Sequence, residues 1–380
     1  MKKILFLTGT RADFGKLKSL MYAVEEKEGM EAHVFVTGMH MHRKYGLTAI
    51  EVEKCGFKNI YRYYNSTQES TMDLTLAKTI EGLSNYIREE HPDLIVVHGD
   101  RVEALAGAIS GALNNILVAH IEGGEVSGTI DELIRHSVSK MSHIHFVSNE
   151  LARKRLIQMG EYEGSIFTIG SPDIDVMFSD KLPSLQTVKE YYEISYQDYG
   201  VLMFHPVTTE YEELARYADN LVQAVVGSKL NYIVVFPNND YGSDTILKAY
   251  EAFKNHPNFR VFPSIRFEYF LVLIKNASFL IGNSSAGIRE APYYGLPSIN
   301  IGSRQNNRAM NDSIINCGYE QADIEDAIDK ALNQEHVDSS FQFGSGNSAQ
   351  LFIAELSKES FWQIPKQKLF NDIIPASGQQ

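Results

Sequence analysis

The chain predicts an α/β protein built from two doubly wound, Rossmann-like lobes that face each other across a cleft. Three observations carry that expectation. Short apolar runs rich in Val, Ile, Leu and Phe alternate with amphipathic stretches over most of the 380 residues; continuous apolar strands of this kind belong to parallel sheets covered on both faces. The alternation lapses through "SPDIDVMFSDKLPSL" (171–185) and then starts again. Most of the apolar runs also end in glycine, hydroxyl or titratable residues, at the sheet edge where open α/β sheets bind ligands.

The first lobe opens with "KKILFLTG" (2–9), a buried strand, and "FGKLKSLMYAVEE" (14–26) follows with apolar residues at helical spacing. Strand "AHVFVTG" (32–38), helix "LAKTIEGLSNYIREE" (76–90), strand "DLIVVHGD" (93–100) and helix "VEALAGAISGAL" (102–113) come next. Strand "NILVAHIE" (115–122) and a helix near 131–141 lead to strand "IHFVS" (144–148), a helix over 149–159 and strand "SIFTIG" (165–170). In the second lobe, helical segments separate strands "YGVLMFH" (199–205), "NYIVVFP" (231–237), "FRVFPS" (259–264), "ASFLIG" (277–282) and "PSINIG" (297–302). The stretch 348–368 reads as helical and "PASGQQ" as a frayed tail. Expected boundaries are 1–175, 176–360 and a terminal segment 361–380.

Composition excludes several classes. At 44% hydrophobic the chain can fill two cores without a disulfide or metal staple. Cys55 and Cys317 match no ligand spacing and fit a reducing cytoplasm. The apolar run Ile4 to Leu7 is too short for a signal peptide, with Arg11 and Asp13 soon after. No apolar stretch nears the length of a membrane span. A net charge of −13, from 35 basic and 48 acidic residues, argues against nucleic-acid binding. One phosphorylated small molecule in a locally basic cleft remains compatible.

The strand ends hold the chemistry. "GTRADFGK" (9–16) lies where a dinucleotide fingerprint would, but is neither G-x-G-x-x-G nor a P-loop. Arg11 there either holds a phosphate beside helix N–H groups or pairs with Asp13. "GNSSAGIREAPYYG" (282–295) puts Ser284 and Ser285 after a strand end, with a helix over Ala286 to Ala291. That suits a diphosphate, with Glu290 as acceptor for vicinal hydroxyls, although serine also caps helices without any ligand. "HPVTTE" (205–210) places His205 at a strand end, as a functional group or a buried structural histidine. Asp100 and Arg101 follow a buried strand, where aspartate is equally an N-cap.

"HIEGGEVSGTIDELIRH" (120–136) crowds four carboxylates beside glycines and two histidines. Glu122 and Asp100 end separate strands of one sheet, so their carboxylates can converge, and Asp131 opens a helix. Asp131 and Arg135 form an i,i+4 pair. Three carboxylates in one cleft are expected to repel and raise some pKa values. The residues thus describe a nucleotide-phosphate cleft with acid/base carboxylates.

Taken together, "TGTRADFGKLK", "VTGMH", "HGDR", "HIEGGEVSGTIDE", "IRHSVSKMSHIH", "FHPVTTE", "FPNND", "GNSSAGIREAP" and "IGSRQ" resemble the hydrolysing UDP-N-acetylglucosamine 2-epimerases of bacterial sialic acid (capsule) biosynthesis. The resemblance covers nearly the whole chain in order. It implies the two-lobed glycosyltransferase-B fold, with the terminal segment packing back on the first lobe. It implies Asp100, Glu122 and Asp131 as catalytic carboxylates, and His205 as a diphosphate contact or proton donor. Arg11, Asn238, Ser284, Ser285, Glu290 and Arg304 match UDP-binding positions, and Arg101 is implied to orient the sugar or its acetamide. Glu125 and Glu132 are expected to be structural.

The implied reaction removes the sugar's C2 proton, expels UDP to give 2-acetamidoglucal, and adds water with inversion at C2. Its substrate is UDP-N-acetylglucosamine and its products are N-acetylmannosamine and UDP, with no metal, no nicotinamide and a homodimeric assembly expected. Gly15 departs from the animal enzyme's serine, which removes any hydroxyl contact to phosphate. The continuation "GGEVSG" favours the hydrolysing over the non-hydrolysing branch. A non-hydrolysing UDP-N-acetylglucosamine 2-epimerase, a hydrolysing 2-epimerase acting on a diacetamido nucleotide sugar, a UDP-sugar glycosyltransferase on the same fold and a silent nucleotide-sugar sensor are the rival readings.

Overall fold

The computed structural model describes residues 1–65, 71–126, 130–238, 240–305, 311–334, 339 and 342–372. The strands of the first lobe are β1 (Lys2–Thr8), β2 (Met30–Val36), β3 (Asn59–Arg62), β4 (Leu94–His98), β5 (Leu117–Ile121), β6 (Ile144–Val147) and β7 (Ile166–Thr168). Its helices are α1 (Arg11–Glu25), α2 (Ala49–Glu53), α3 (Met72–Glu90), α4 (Val102–Leu113), α5 (Ile130–Met141) and α6 (Glu150–Gln158). Two helices, α7 (Pro172–Met177) and α8 (Leu185–Tyr191), lead to the second lobe.

That lobe holds β8 (Gly200–Met203), β9 (Tyr232–Val235), β10 (Phe259–Phe262), β11 (Phe279–Gly282), β12 (Ser298–Ile301) and β13 (Ile314–Cys317). Around them lie α9 (Leu214–Gly227), α10 (Ser243–Ala249), α11 (Phe267–Lys275), α12 (Ala286–Arg289) and α13 (Gln321–Asn333). The last helix is α14 (Ser348–Leu356).

Both sheets are parallel throughout, in the orders β3-β2-β1-β4-β5-β6-β7 and β10-β9-β8-β11-β12-β13. The strand order reverses between β1 and β4 in one lobe and between β8 and β11 in the other. Such switch points open a crevice at the strands' carboxyl ends, so the two doubly wound lobes carry their crevices at Gly9 and His98, and at Phe204 and Asn283. Two strands escape the sequence reading. β3 and β13 are edge strands, paired on one side only and half-exposed, so neither shows the continuous apolar run of a central strand.

The chain returns to the first lobe at α14. Phe352 and Leu356 are fully buried in that lobe's core, and Phe361 nearly so. The Phe352 ring lies 4.8 Å from Phe146 and 6.4 Å from Phe6. This return precedes the residue-361 boundary expected above, because the aromatic and aliphatic face of 348–356 fits the first lobe. Helix α14 also stops at Leu356 and gives way to a 3-10 turn over Glu359–Gln363, so the helix is shorter than expected. Lys368 then donates to the carbonyls of Ser139, Lys140 and Ser142 at the end of α5. The expected frayed tail at 375–380 lies outside the described residues.

The two crossings between lobes touch. Gly170 and Gly344 adopt φ of +82° and +118°, and a Cβ on Gly344 would sit 2.8 Å from the Gly170 Cα. Ser171 donates its N–H to the Phe343 carbonyl at 2.6 Å. Among the described residues, no helix is long and apolar enough to cross a membrane.

Candidate active site

The interlobe cleft has two adjoining compartments, a polar one of about 920 Å³ and a more apolar one of about 860 Å³. Thr10, Lys16, His205, Asn238, Ser284 and Ser285 line both. Asp100, Arg101, Glu122, Asp131 and Arg304 line the polar compartment, and Arg11 and Glu290 the apolar one. All eleven residues singled out in the sequence therefore border the cleft, and they come from both lobes.

The turn after β1 is built by a capping box. Thr10 Oγ1 accepts from the Asp13 N–H while Asp13 accepts from the Gly9 and Thr10 N–H groups. Asp13 is thus committed to backbone, and Arg11 pairs instead with Glu51, at 2.5 and 2.8 Å, and with the Ser264 hydroxyl. Glu51 also accepts from Arg266 at 3.0 Å, which ties the lobes together at the mouth of the apolar compartment.

Glu122 follows β5 with φ at +63°, a conformation that costs a non-glycine residue about 1–2 kcal/mol and persists only where surroundings impose it. Arg289 lies 2.5 Å away, His98 3.1 Å, and the Ser171 hydroxyl donates to the same carboxylate. Burial alone would raise the Glu122 pKa, but Arg289, Lys16 and His98 outweigh it and hold the carboxyl well below the usual range. The expected rise through carboxylate repulsion is therefore reversed at Glu122, because buried cations stand between it and its neighbours.

Asp100 takes Arg135, whose guanidinium also donates to the Glu122 carbonyl at 2.7 Å. Arg135 has thus turned to the preceding strand ends rather than to the i,i+4 partner expected from sequence. Asp131 accepts from Arg304 at 2.9 Å across the cleft. Behind Asp100, His120 bonds the Gly99 carbonyl at 2.8 Å and the Ser139 hydroxyl at 3.0 Å. Burial holds its pKa down, so this histidine is a neutral strut between the turn and α5.

His205 is different. Asn283 clamps its backbone at both ends, accepting from its N–H at 2.7 Å and donating to its carbonyl at 2.9 Å. Its Nδ1 accepts the Asn238 N–H at 3.0 Å. Burial, then Arg304 and Arg101, push its pKa well below the usual value. A neutral ring whose Nδ1 is an acceptor carries its proton on Nε2, and that N–H is free of the Asn238 contact. Ser284 Oγ accepts from the Ala286 N–H at 3.3 Å, while Ser285, the N-cap of α12, makes no side-chain cap bond. That helix, α12, ends at Arg289 rather than Ala291 and is followed by a 3-10 turn.

Lys16, Asp173 and Arg289 were missed. Lys16 is buried on α1, 2.9 Å from Asp173 and 3.0 Å from Glu290. Burial opposes its charge, but Asp173, Glu290 and Glu122 raise its pKa. The one signal for Lys16 was its place among core positions of a helix, four residues before Leu20. Burial raises the Glu290 pKa, with Asp173 adding to the effect, and its Oε2 has no hydrogen-bond partner among the described residues. Gly15 is a close approach: a Cβ there would lie 2.4 Å from the Phe267 Cβ on α11. Gly15→Ser should wedge the lobes apart and destabilise the chain by about 1–3 kcal/mol in thermal melting; an unchanged melting midpoint would count against this packing. Ser127, Gly128, Thr129 and Asn239, within the quoted motifs, lie outside the described residues.

Residues 22–357 match the family model described as UDP-N-acetylglucosamine 2-epimerase. The chain is 50% identical over 376 residues to a "UDP-N-acetylglucosamine 2-epimerase" of Neisseria meningitidis serogroup B, covering 98% of this chain and 100% of the relative. It is 33% identical to a "UDP-N,N'-diacetylbacillosamine 2-epimerase (hydrolyzing)" of Legionella pneumophila, over 92% of this chain and 94% of the relative. The solved UDP-GlcNAc 2-epimerase of Methanocaldococcus jannaschii, in complex with UDP-GlcNAc and UDP, superposes with a TM-score of 0.81. It is 22% identical and covers 94% of this chain and 99% of that one, a likeness of fold. With matches that span nearly its whole length, the chain belongs to the UDP-N-acetylglucosamine 2-epimerase family.

Proposed function

We propose that the chain is a hydrolysing UDP-N-acetylglucosamine 2-epimerase that releases N-acetylmannosamine and UDP, the first step toward sialic acid. The observation that carries this reading is the pairing of an ionised, buried Glu122 with a neutral His205 in one cleft. Removing a proton from C2, which no carbonyl acidifies, needs a carboxylate held ionised and close. The C1–O bond breaks as the C2 proton leaves, and the electron pair goes to the diphosphate. His205 Nε2–H, Arg304 and Arg101 face that developing charge, and their preorganised dipoles and charges lower its cost. Water then bonds its oxygen to C1 of the glucal and loses a proton to a carboxylate, while a carboxylic acid gives a proton to C2 from the other face. Asp100 and Asp131 are the remaining carboxylates for this second transfer.

In the same reading the apolar compartment takes the uridine, and the unpartnered Glu290 Oε2 meets the ribose hydroxyls. The first lobe supplies the carboxylates and the second holds UDP, in a cytoplasmic homodimer. The Legionella relative's printed name supports the hydrolysing branch and keeps a diacetamido nucleotide sugar as the second reading. Incubation with UDP-N-acetylglucosamine in deuterated water, followed by NMR, tests both. Free N-acetylmannosamine bearing deuterium at C2, with UDP, is expected. Product that keeps its UDP would assign the non-hydrolysing reaction. Turnover without deuterium would sink the elimination mechanism, and inert substrate would favour the diacetamido sugar.

A further inference from the structure

Arg289 joins the two lobes at Glu122. It stands at the end of α12 in the second lobe, is 3% exposed, and reaches two carboxylates of the first lobe. One nitrogen lies 2.5 Å from Glu122, and the other lies 2.6 and 2.7 Å from the two oxygens of Glu125. Its Nε is 3.7 Å from Asp173, and its guanidinium sits 4.8 Å above the Phe343 ring. Glu125 accepts from Ser148 as well and does not border the cleft, so its carboxylate anchors the arginine and does no chemistry.

We propose that Arg289 is a positioning residue that holds Glu122 ionised and aimed, so that the proton-transfer site is complete only while the lobes are closed. This rests on the epimerase reading above and adds to it a residue that lines the polar compartment and acts through Glu122. A planar guanidinium can grip two carboxylates at once in fixed directions, which an ammonium cannot. Burial disfavours the Glu122 charge, and among the groups that restore it Arg289 contributes most. The other titratable and charged groups facing Glu122 are Lys16 from α1, His98 at the end of β4, Arg135 from α5 and Asp173 from α7. Four of these five, all but Arg289, belong to the first lobe or the connection, so separation of the lobes removes the largest favourable contribution.

The test uses the full chain and does not depend on which sugar is turned over. The carboxyl stretch of Glu122, identified by infrared difference against Glu122→Gln, is followed from neutral to acid pH in wild type and Arg289→Gln. In the variant the protonated band should appear at least about one pH unit higher, since an opposite charge at this range shifts a carboxyl by about 1–3 units. If UDP-N-acetylglucosamine is a substrate, kcat should fall about 100-fold while UDP affinity changes less than about threefold, and the acid limb of kcat should move up with the band. Arg289→Lys should keep the band in place and recover part of kcat. A band unmoved in Arg289→Gln overturns the proposal, whatever happens to turnover. Should that variant not fold, full kcat in Arg289→Lys overturns the aiming role. A wild type that ignores UDP-N-acetylglucosamine overturns the substrate reading alone, because the band still reports on Arg289.

Discussion

Glu122→Gln and Asp100→Asn should each lower turnover of UDP-N-acetylglucosamine by about two to four orders of magnitude, the usual range for a group that moves a proton. Both changes keep shape and remove charge. At Glu122 the amide would still meet His98 and Ser171, but it could not accept the C2 proton or neutralise Arg289. Removing one partner of a buried ion pair can cost about 3–5 kcal/mol, so circular dichroism and thermal melting should accompany the kinetics. Asp100 is partly exposed, but its partner Arg135 is buried, so the same melting control applies to its variant. UDP affinity, measured by calorimetry, should change far less than kcat in both. If both variants retain most of their activity, the carboxylate assignment is wrong.

Phe352→Ala should destabilise the chain by about 3–5 kcal/mol, the cost of emptying a fully buried aromatic site. Its ring fills the gap between Phe6 on β1 and Phe146 on β6, so the loss falls on the first lobe although the residue follows the second in sequence. Denaturant unfolding should show a lower midpoint for the first lobe's transition, and the Lys368 cap on α5 should loosen with it. A midpoint equal to the wild type would show that α14 is not part of that core.

The central strands were legible because burial on both faces forces unbroken apolar runs, and β1, β4 and β5 show them plainly. Edge strands β3 and β13 lack that constraint and read as loops. The cleft residues at strand ends could be found for a topological reason: a parallel sheet delivers them all to one edge. Lys16 and Arg289 could not, because they project from helices, where a charged side chain ordinarily marks the solvated face. Only the meeting of two lobes buries them. The same meeting reversed the expected shift of Glu122, since sequence displays the carboxylates of one lobe together but hides the cation that arrives from the other.

The glycine-to-glycine crossing has a mechanical consequence. Two chain passages pressed together at Gly170 and Gly344, and bonded through Ser171 and Phe343, cannot slide past each other. What they permit is rotation about one point, as a knuckle does. Ser171 and Phe343 are also the residues whose hydroxyl and ring touch Arg289, and Ser171 bonds Glu122. The pivot and the carboxylate proposed above to transfer the proton therefore share a joint.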